Sequence, residues 1–161
     1  MGVFFITLFF RSDVFSYFHT MKKKIHTTTY HNNFIGVAPD TSALAGTIPP
    51  VSKSGKTIAL MQYEKLNGHP YKYTSDELIF EIFAERNGIT QKDWNLQRGG
   101  FFSNGQACMR TSPLAKTYGW GIHSNADGKI AIYPMEGKAY EHFATDPTLS
   151  QTIAMRNNKK Q

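Results

Sequence analysis

Residues 110–116 combine two cationic side chains with a predicted helix start, a pattern suited to binding an anion. Ser112 followed by Pro113 is typical of a helix N-terminus, because serine accepts a hydrogen bond from a first-turn amide and proline has no amide to satisfy. The free amides and the positive end of such a helix, beside Arg110 and Lys116, favour an anionic ligand. The alternative is a short connecting helix with a solvated arginine.

A β-hairpin is predicted directly after this helix, with strands at 119–124 and 129–133 and a turn at Asp127 and Gly128. Strand alternation places four large apolar side chains on one face, which we expect to be buried: Trp120, Ile122, Ile130 and Ile132. A slip of one residue would mix these side chains with the polar ones, so the apolar pattern indicates the register of the hairpin.

The opposite face of the hairpin carries two small residues, Gly121 and Ala131, beside the imidazole of His123 and the phenol of Tyr133. Small side chains leave a depression in a sheet. The sequence therefore predicts a small pocket over this face, with His123 and Tyr133 beside it. The alternative is that a helix covers the face and needs the space for its own backbone.

Two predicted helices each carry one polar side chain within an apolar stripe. Gln62 lies in the stripe of the helix predicted at 57–67, and Arg86 lies along the stripe of the helix predicted at 75–87. An unpaired buried polar group costs about 1–3 kcal/mol. Gln62 and Arg86 therefore either meet a partner inside the fold or point into a cavity that holds a ligand. For Arg86 the alternative is a cation at a helix C-terminus that extends into solvent.

Cys108 and His123 are the residue types of a thiol nucleophile and its base, and Arg110 nearby would favour the thiolate. The alternative is inert packing of a lone cysteine in an apolar strand. With one cysteine in the chain, we expect no intrachain disulfide and no cysteine-based zinc site, which favours a reducing cytoplasm. The six histidines show no metal-ligand spacing, so neither a metal nor a cofactor is predicted.

The remaining sequence predicts further helices, one or two strands at 25–37 with a turn at Asn32 and Asn33, and another short strand. Thr74 and Glu77 form a capping box at the start of the clearest helix. Two other helices are predicted at 91–102 and 148–155, and a short strand at 106–110. Helices beside a hairpin predict an α+β fold, with a small, mainly antiparallel sheet that contains the central β-hairpin and is covered on one face by three or more helices.

Composition favours one domain, because the 161 residues are 40% hydrophobic and 14% aromatic, enough to form a core. The net charge of +6 comes from 18 basic and 12 acidic side chains. Basic side chains are concentrated near the ends, at Lys22, Lys23, Lys24, Arg156, Lys159 and Lys160. Without these and without residues 1–20, basic and acidic side chains are equal in number. A folded body without net charge disfavours nucleic-acid binding, which requires a basic face.

Residues 1–20 differ from the rest of the chain. Their apolar run at 3–10 is shorter than the ~20 residues that span a bilayer, and it lacks the basic region and cleavage site of a secretory signal. Met21, followed by three lysines, is typical of a protein start. We therefore interpret 1–20 as a non-native or disordered leader, 21–155 as a single α+β domain and 156–161 as a basic tail. The alternative is a membrane-associating leader.

Four motifs give the chain a family resemblance. They are Gly46-Thr-Ile-Pro-Pro, Tyr73-Thr-Ser-Asp-Glu, Gly105-Gln-x-Cys-x-Arg-x-Ser-Pro-Leu-x-Lys-x-Tyr-Gly-Trp-Gly-Ile-His and Gly128-Lys-Ile-Ala. The last two are specific in combination. With them, residues 22 to about 160 resemble a bacterial family, domain of unknown function family 6157. The resemblance implies a bacterial cytoplasmic protein and assigns no activity, ligand or catalytic residue.

The first functional hypothesis is a domain that binds a small anionic ligand in a pocket over the 119–133 hairpin. The candidate ligand-binding residues are Arg110, Ser112, Lys116, His123, Tyr133, Arg86 and Gln62. One alternative is a small enzyme that depends on Cys108 and His123. Another is a protein that associates with nucleic acid through its basic termini.

Overall fold

The computed structural model describes residues 24–158, which form a four-stranded sheet with helices on both faces. The strands are Asn33–Gly36 (β1), Trp120–Ser124 (β2), Ile130–Pro134 (β3) and Ser150–Ile153 (β4). The helices are Ile58–Leu66 (α1), Ser75–Arg86 (α2), Trp94–Ser103 (α3), Pro113–Lys116 (α4) and Lys138–Thr145 (α5). The predicted leader at 1–20, the predicted start at Met21 and the terminal lysines 22, 23, 159 and 160 lie outside the described residues.

The strand order is β3-β2-β1-β4, which corrects the predicted sheet. The α+β combination of helices and sheet is present, but the prediction of a mainly antiparallel sheet with a central hairpin is wrong. β4 pairs with β1 in parallel, so the sheet is mixed, and β3 of the hairpin forms an edge. The chain leaves β3, passes through α5 and returns as β4 at the other edge, so that β3 and β4 run in the same direction.

The strand β4 replaces the helix predicted at 148–155. Its four residues, Ser-Gln-Thr-Ile, show no alternation of polar and apolar side chains that would indicate a strand. The strand depends on distant partners instead. The Ser150 amide donates to the carbonyl of Asn32 at 2.9 Å. The side-chain amide of Asn33 donates to the Ser150 carbonyl and to the Thr152 hydroxyl, both at 2.7 Å.

The main core lies between one face of the sheet and helices α1, α2 and α4. The predicted buried face of the hairpin is confirmed: Trp120, Ile122 and Ile130 are buried in this core and Ile132 packs against it. The hairpin register is also confirmed, with Ile122 opposite Ile132. A second cluster joins α2 to α3 through Phe80, Ala84 and Phe102. Helices α1, α2 and α4 therefore form a layer on the core face of the sheet, and α3 packs against α2.

Three helix starts have side-chain caps, two of which the sequence predicted. The hydroxyl of Thr57 accepts from the amide of Leu60, and Thr74 and Glu77 form the predicted capping box of α2. Ser112 accepts from the amide of Leu114 at 3.2 Å, with proline as the first residue of α4. The strand predicted at 106–110 is absent from the described residues, where a 3-10 turn at Met109–Thr111 precedes α4.

Helix α5 covers the other face of the sheet, above the small residues of the hairpin. The ring of Phe34 on β1 meets Tyr140 of α5 edge to face, with ring centroids 5.1 Å apart. A β-carbon added to Gly121 would lie 2.6 Å from the rings of both Phe34 and Tyr140. The absence of a side chain at residue 121 therefore lets α5 approach the sheet.

Among the described residues, no helix combines the length and apolar character needed to cross a membrane.

We expect Gly121→Ala to destabilise the protein, because the added methyl group overlaps two packed aromatic rings. Inserting a methyl group into a well-packed core costs about 1–3 kcal/mol of unfolding free energy. Urea unfolding followed by circular dichroism measures the change.

Gly100→Ala is the matched control for this substitution. Gly100 lies inside α3, and nothing lies within 4 Å of an added β-carbon there. The control should leave stability unchanged or raise it by about 0.5–1 kcal/mol, since alanine favours the helix over glycine. Equal effects of the two substitutions would contradict the packing of α5 on Gly121.

Candidate functional site

The seven residues predicted to bind a ligand lie in three separate places. His123 and Tyr133 lie beneath α5, where both belong to a hydrogen-bonded aromatic cluster. Arg110 lines a surface cleft beside β4. Lys116 lies on that same side of the molecule. The last three candidates, Gln62, Arg86 and Ser112, line a groove beside α1 and α2.

The cluster beneath α5 is centred on Tyr71, which the sequence did not single out. The hydroxyl of Tyr71 lies 2.8 Å from Nδ1 of His123 and 2.9 Å from the hydroxyl of Tyr133, forming two consecutive hydrogen bonds. The imidazole of His123 stacks on Phe143 of α5 with ring centroids 4.1 Å apart. Tyr71 has a φ of 58°, a left-handed conformation that is strained for a bulky residue. The hydrogen bonds hold Tyr71 in that conformation.

Burial controls the protonation of this cluster. Burial lowers the pKa of His123, opposed by the negative charge of Asp146. Burial, followed by the hydrogen bond with Tyr133, raises the pKa of Tyr71, so this phenol keeps its proton at neutral pH. His123 is 8% exposed and is covered by Phe143, and the rings of Phe34 and Tyr140 fill the depression above Gly121. The aromatic side chains therefore occupy the space that the sequence predicted to be a pocket.

Arg110 is held by backbone contacts near the end of β4. Its Nε donates to the carbonyl of Ile153 at 3.0 Å, and its own carbonyl accepts from the amide of Met155 at 2.8 Å. The adjoining cleft of about 570 Å³ is open and also contains Arg156. The carbonyl of Lys116 accepts from the side chain of Asn157 in the same part of the molecule. Arg110 therefore lines this cleft, whereas Ser112 lines the groove beside α1 and α2.

Cys108 and His123 have different hydrogen-bond partners on opposite sides of the sheet. The hydroxyl of Tyr30, which packs against the main core, donates to Sγ of Cys108 at 3.6 Å. Nδ1 of His123 bonds with Tyr71 beneath α5. Among the described residues the thiol and the imidazole form no hydrogen bond with each other, so this pair lacks the geometry of a nucleophile and its base.

A groove runs between α1, α2 and the segment that precedes α4. It consists of two adjacent cavities of about 220 and 320 Å³, which share Ile58, Gln62 and Ile79 in their walls. Arg86, Asn87 and apolar side chains of α2 and α3 complete the first cavity: Ile82, Phe83 and Phe101. The segment from Gln106 to Pro113, with Cys108 and Ser112, lines most of the second. The wall is therefore largely apolar, with a few polar groups.

Gln62 presents an unpaired hydrogen-bond donor to this groove. The hydroxyl of Ser112 accepts from the Leu114 amide and donates to Oε1 of Gln62 at 2.6 Å, which fixes the orientation of the Gln62 side chain. No described residue accepts a hydrogen bond from its Nε2. Among the described residues, Oδ1 of Asn33 is the only side-chain oxygen or nitrogen that is both fully enclosed and without a hydrogen-bond partner. Nε2 of Gln62 also lacks a partner, so it is not fully enclosed and opens onto the groove. The residue is only 6% exposed.

Arg86 is the one charged residue in the wall of either cavity. Its side chain is exposed at the C-terminal end of α2, as expected from the alternative in which Arg86 is a helix C-terminal cation that extends into solvent. No carboxylate among the described residues forms an ion pair with Arg86, because the neighbouring Glu81 and Glu85 both pair with Lys65. The groove therefore has a positive charge at one end and no opposing negative charge in its wall.

The described residues contain no group of three or more histidine, cysteine, aspartate or glutamate side chains arranged to hold a metal ion. Gln62, Arg86 and Ser112, which the sequence singled out, line this groove, whereas its apolar wall and the contacts of Tyr71 were not predicted. A tyrosine after His69 and Pro70 gives no local sign that it will meet two strands from much later in the chain.

The lowered pKa of His123 predicts loss of stability in weak acid. The folded protein binds the His123 proton less tightly than the unfolded chain, whose imidazole has a pKa of 6.5. This contribution to stability is therefore complete above pH 6.5 and is lost as the pH falls below 6.5 towards the folded pKa. We expect the unfolding free energy to decrease from pH 7 to about pH 5, a window above the titration of ordinary carboxylates.

Chemical unfolding of wild type and His123→Gln across this pH range measures that contribution. The variant should show a shallower pH dependence. His69→Gln, at an exposed histidine, is the control and should keep the wild-type slope. A His123→Gln slope identical to that of wild type would refute the role of His123.

Comparison with known proteins identifies the family of the chain. A model for a family of unknown function, DUF6157, matches residues 25–160. No curated protein and no solved structure matches the chain. The match includes all four motifs that carried the resemblance, and it extends over the sheet, the five helices and the groove. The chain therefore belongs to the family of unknown function DUF6157.

Proposed function

We propose that this domain binds a small ligand with a carboxylate group and an apolar body in the groove beside α1 and α2. The observation that carries the proposal is the free Nε2 donor of Gln62, a side chain 6% exposed and fixed by Ser112. Because Nε2 opens onto the groove and has no partner among the described residues, its acceptor there is water or a ligand. A ligand oxygen in the groove supplies that acceptor.

The wall of the groove supports an apolar body. Ile58 and Ile79 are common to both cavities, and two aromatic rings, Phe83 and Phe101, close one end. Small-molecule sites are typically apolar with a few polar groups that fix orientation, in cavities of about 300–1,000 Å³. The two cavities of about 220 and 320 Å³ together reach this range.

The charge of the groove supports a carboxylate. Arg86 is the single charged residue among its lining residues, and its guanidinium can donate two parallel hydrogen bonds to a carboxylate. The proposal keeps the small anionic ligand that the sequence suggested and moves it from the hairpin to the groove. Of the seven candidate residues, Gln62, Arg86 and Ser112 take part, and Arg110, Lys116, His123 and Tyr133 lie elsewhere.

The two other hypotheses have less support. An enzyme that uses Cys108 with His123 requires a contact that their separate partners, Tyr30 and Tyr71, do not provide. Nucleic-acid binding through the basic termini rests mainly on lysines outside the described residues. The groove is thus the better-supported site.

Octanoate is a suitable probe, since it combines a carboxylate with a flexible apolar chain. We expect octanoate to raise the melting temperature of the protein and 1-octanol to do so much less. Arg86→Leu should weaken octanoate binding about ten- to a hundredfold, because hydrogen bonds to a charged group contribute about 1.5–3 kcal/mol. Isothermal titration calorimetry measures the affinities.

Arg156→Leu is the control, because it removes a cation from the cleft beside β4 and leaves the groove intact. It should bind octanoate like wild type. Absence of octanoate binding, or binding that Arg156→Leu abolishes and Arg86→Leu does not change, would reject the groove as the ligand site.

A further inference from the structure

The only cysteine of the chain lies in the wall of the proposed ligand groove. Cys108 lines the cavity of about 320 Å³, and Arg86 lines the adjacent cavity of about 220 Å³. Gln62 lies in the wall that both cavities share, with its free amide open to the groove. The groove therefore presents three different groups along its length: a cation, a hydrogen-bond donor and a thiol.

The thiol of Cys108 has a polar neighbour as well as apolar ones, the hydroxyl of Tyr30. This hydroxyl donates to Sγ of Cys108 at 3.6 Å, so the sulfur has a hydrogen-bond donor beside it. The hydrogen bond to Cys108 is also the largest cause that raises the pKa of Tyr30, so the phenol remains a proton donor near neutral pH. Cys108 is only partly buried, and it lines the cavity of about 320 Å³.

We propose that Cys108 is a covalent modification site for α,β-unsaturated carbonyl compounds that carry a carboxylate and bind in this groove. The inference rests on the proposed function, because it uses the same groove and the same arginine. It adds the chemical class of the ligand and a bond between ligand and protein.

The order of polar groups along the groove matches this class of compound. The carboxylate pairs with the Arg86 guanidinium, and the carbonyl oxygen accepts a hydrogen bond from Nε2 of Gln62. That hydrogen bond withdraws electron density from the conjugated double bond. The electron-poor β-carbon then faces the part of the groove that contains Cys108.

The reaction is a conjugate addition and needs no oxidant or reductant. Cys108 loses its proton to solvent, and the thiolate sulfur forms a bond with the β-carbon of the ligand. The π bond between the α- and β-carbons breaks, its electron pair forms a double bond between the α-carbon and the carbonyl carbon, and the carbonyl π pair moves to the oxygen to give an enolate. Water then supplies a proton to the α-carbon. The product is a thioether, with one proton released and one taken up.

The test uses 6-maleimidohexanoic acid, an unsaturated carbonyl compound with a carboxylate, and its neutral methyl amide as the matched probe. Intact-protein mass spectrometry follows the reaction, and a chain with one cysteine gives an unambiguous site. We expect the acid to label wild type about tenfold faster than the amide, in line with the contribution of one charged pair. Octanoate should slow labelling by the acid.

Two variants separate the roles of Arg86 and Tyr30. Arg86→Leu should remove the preference for the acid over the amide, whereas the Arg156→Leu control keeps the preference. Tyr30→Phe should slow labelling by both probes, because it removes the hydrogen-bond donor to Sγ of Cys108. Unchanged labelling rates in Tyr30→Phe would show that the Tyr30 hydroxyl has no part in the reaction of the thiol.

The outcomes also distinguish this inference from the proposed function. Two results overturn the modification site even if octanoate binds. In the first, the acid labels Cys108 no faster than it labels N-acetylcysteine. In the second, the acid and the amide label Cys108 at the same rate. If octanoate neither binds nor protects Cys108 from the acid, the proposed function fails, and the carboxylate-directed modification fails with it. Rapid labelling by the amide alone would then report a reactive thiol without a ligand site.

Discussion

The hydrogen bond between Ser112 and Gln62 connects the parts of this domain that form its groove. One hydroxyl performs two tasks, because it caps α4 by accepting from Leu114 and donates to Gln62 of α1. The bond fixes which end of the Gln62 amide faces the protein and which faces the groove. Both residues are buried, at 3% and 6% exposure, so neither can exchange its partner for bulk water. Helix α1 and the chain before the hairpin are thereby held in one arrangement.

The two faces of the sheet use different packing. The core face meets α1, α2 and α4 mainly through aliphatic side chains, with Trp120 of β2 packed against Tyr63 of α1. The other face meets the single helix α5, whose own residues are not fully buried, and the contact is made by aromatic rings and hydroxyl groups. Gly121 provides room for the rings of Phe34 and Tyr140. The same small residues that suggested a pocket therefore serve close packing, because an empty depression would lose dispersion contacts.

Local features of the domain were predictable from sequence, and its long-range pairings were not. The caps at Thr74 and Ser112, and the register of the hairpin, depend on residues a few positions apart, whose chemistry is visible in the chain itself. Gln62 and Arg86 were recognised as polar residues in apolar stripes for the same reason. The strand at Ser150–Ile153 has no such local signal, since Asn33 and its neighbours on β1 determine it. The contacts of His123 with Tyr71 and Phe143 likewise depend on how α5 crosses the sheet.

The parallel pairing of β1 with β4 has a consequence for synthesis on the ribosome. β1 is an inner strand, yet both of its neighbours, β2 and β4, are encoded in the last third of the chain. During translation Phe34 and Ile35 have no strand partner until β2 is made, and β1 gains its second partner later still, because the Asn33–Ser150 contact spans 117 positions. Domains rich in such distant contacts fold slowly, and their unpaired apolar strands are prone to aggregation meanwhile. We therefore expect β1 of a nascent chain to lack its full set of strand partners until the segment of β4 has left the ribosome.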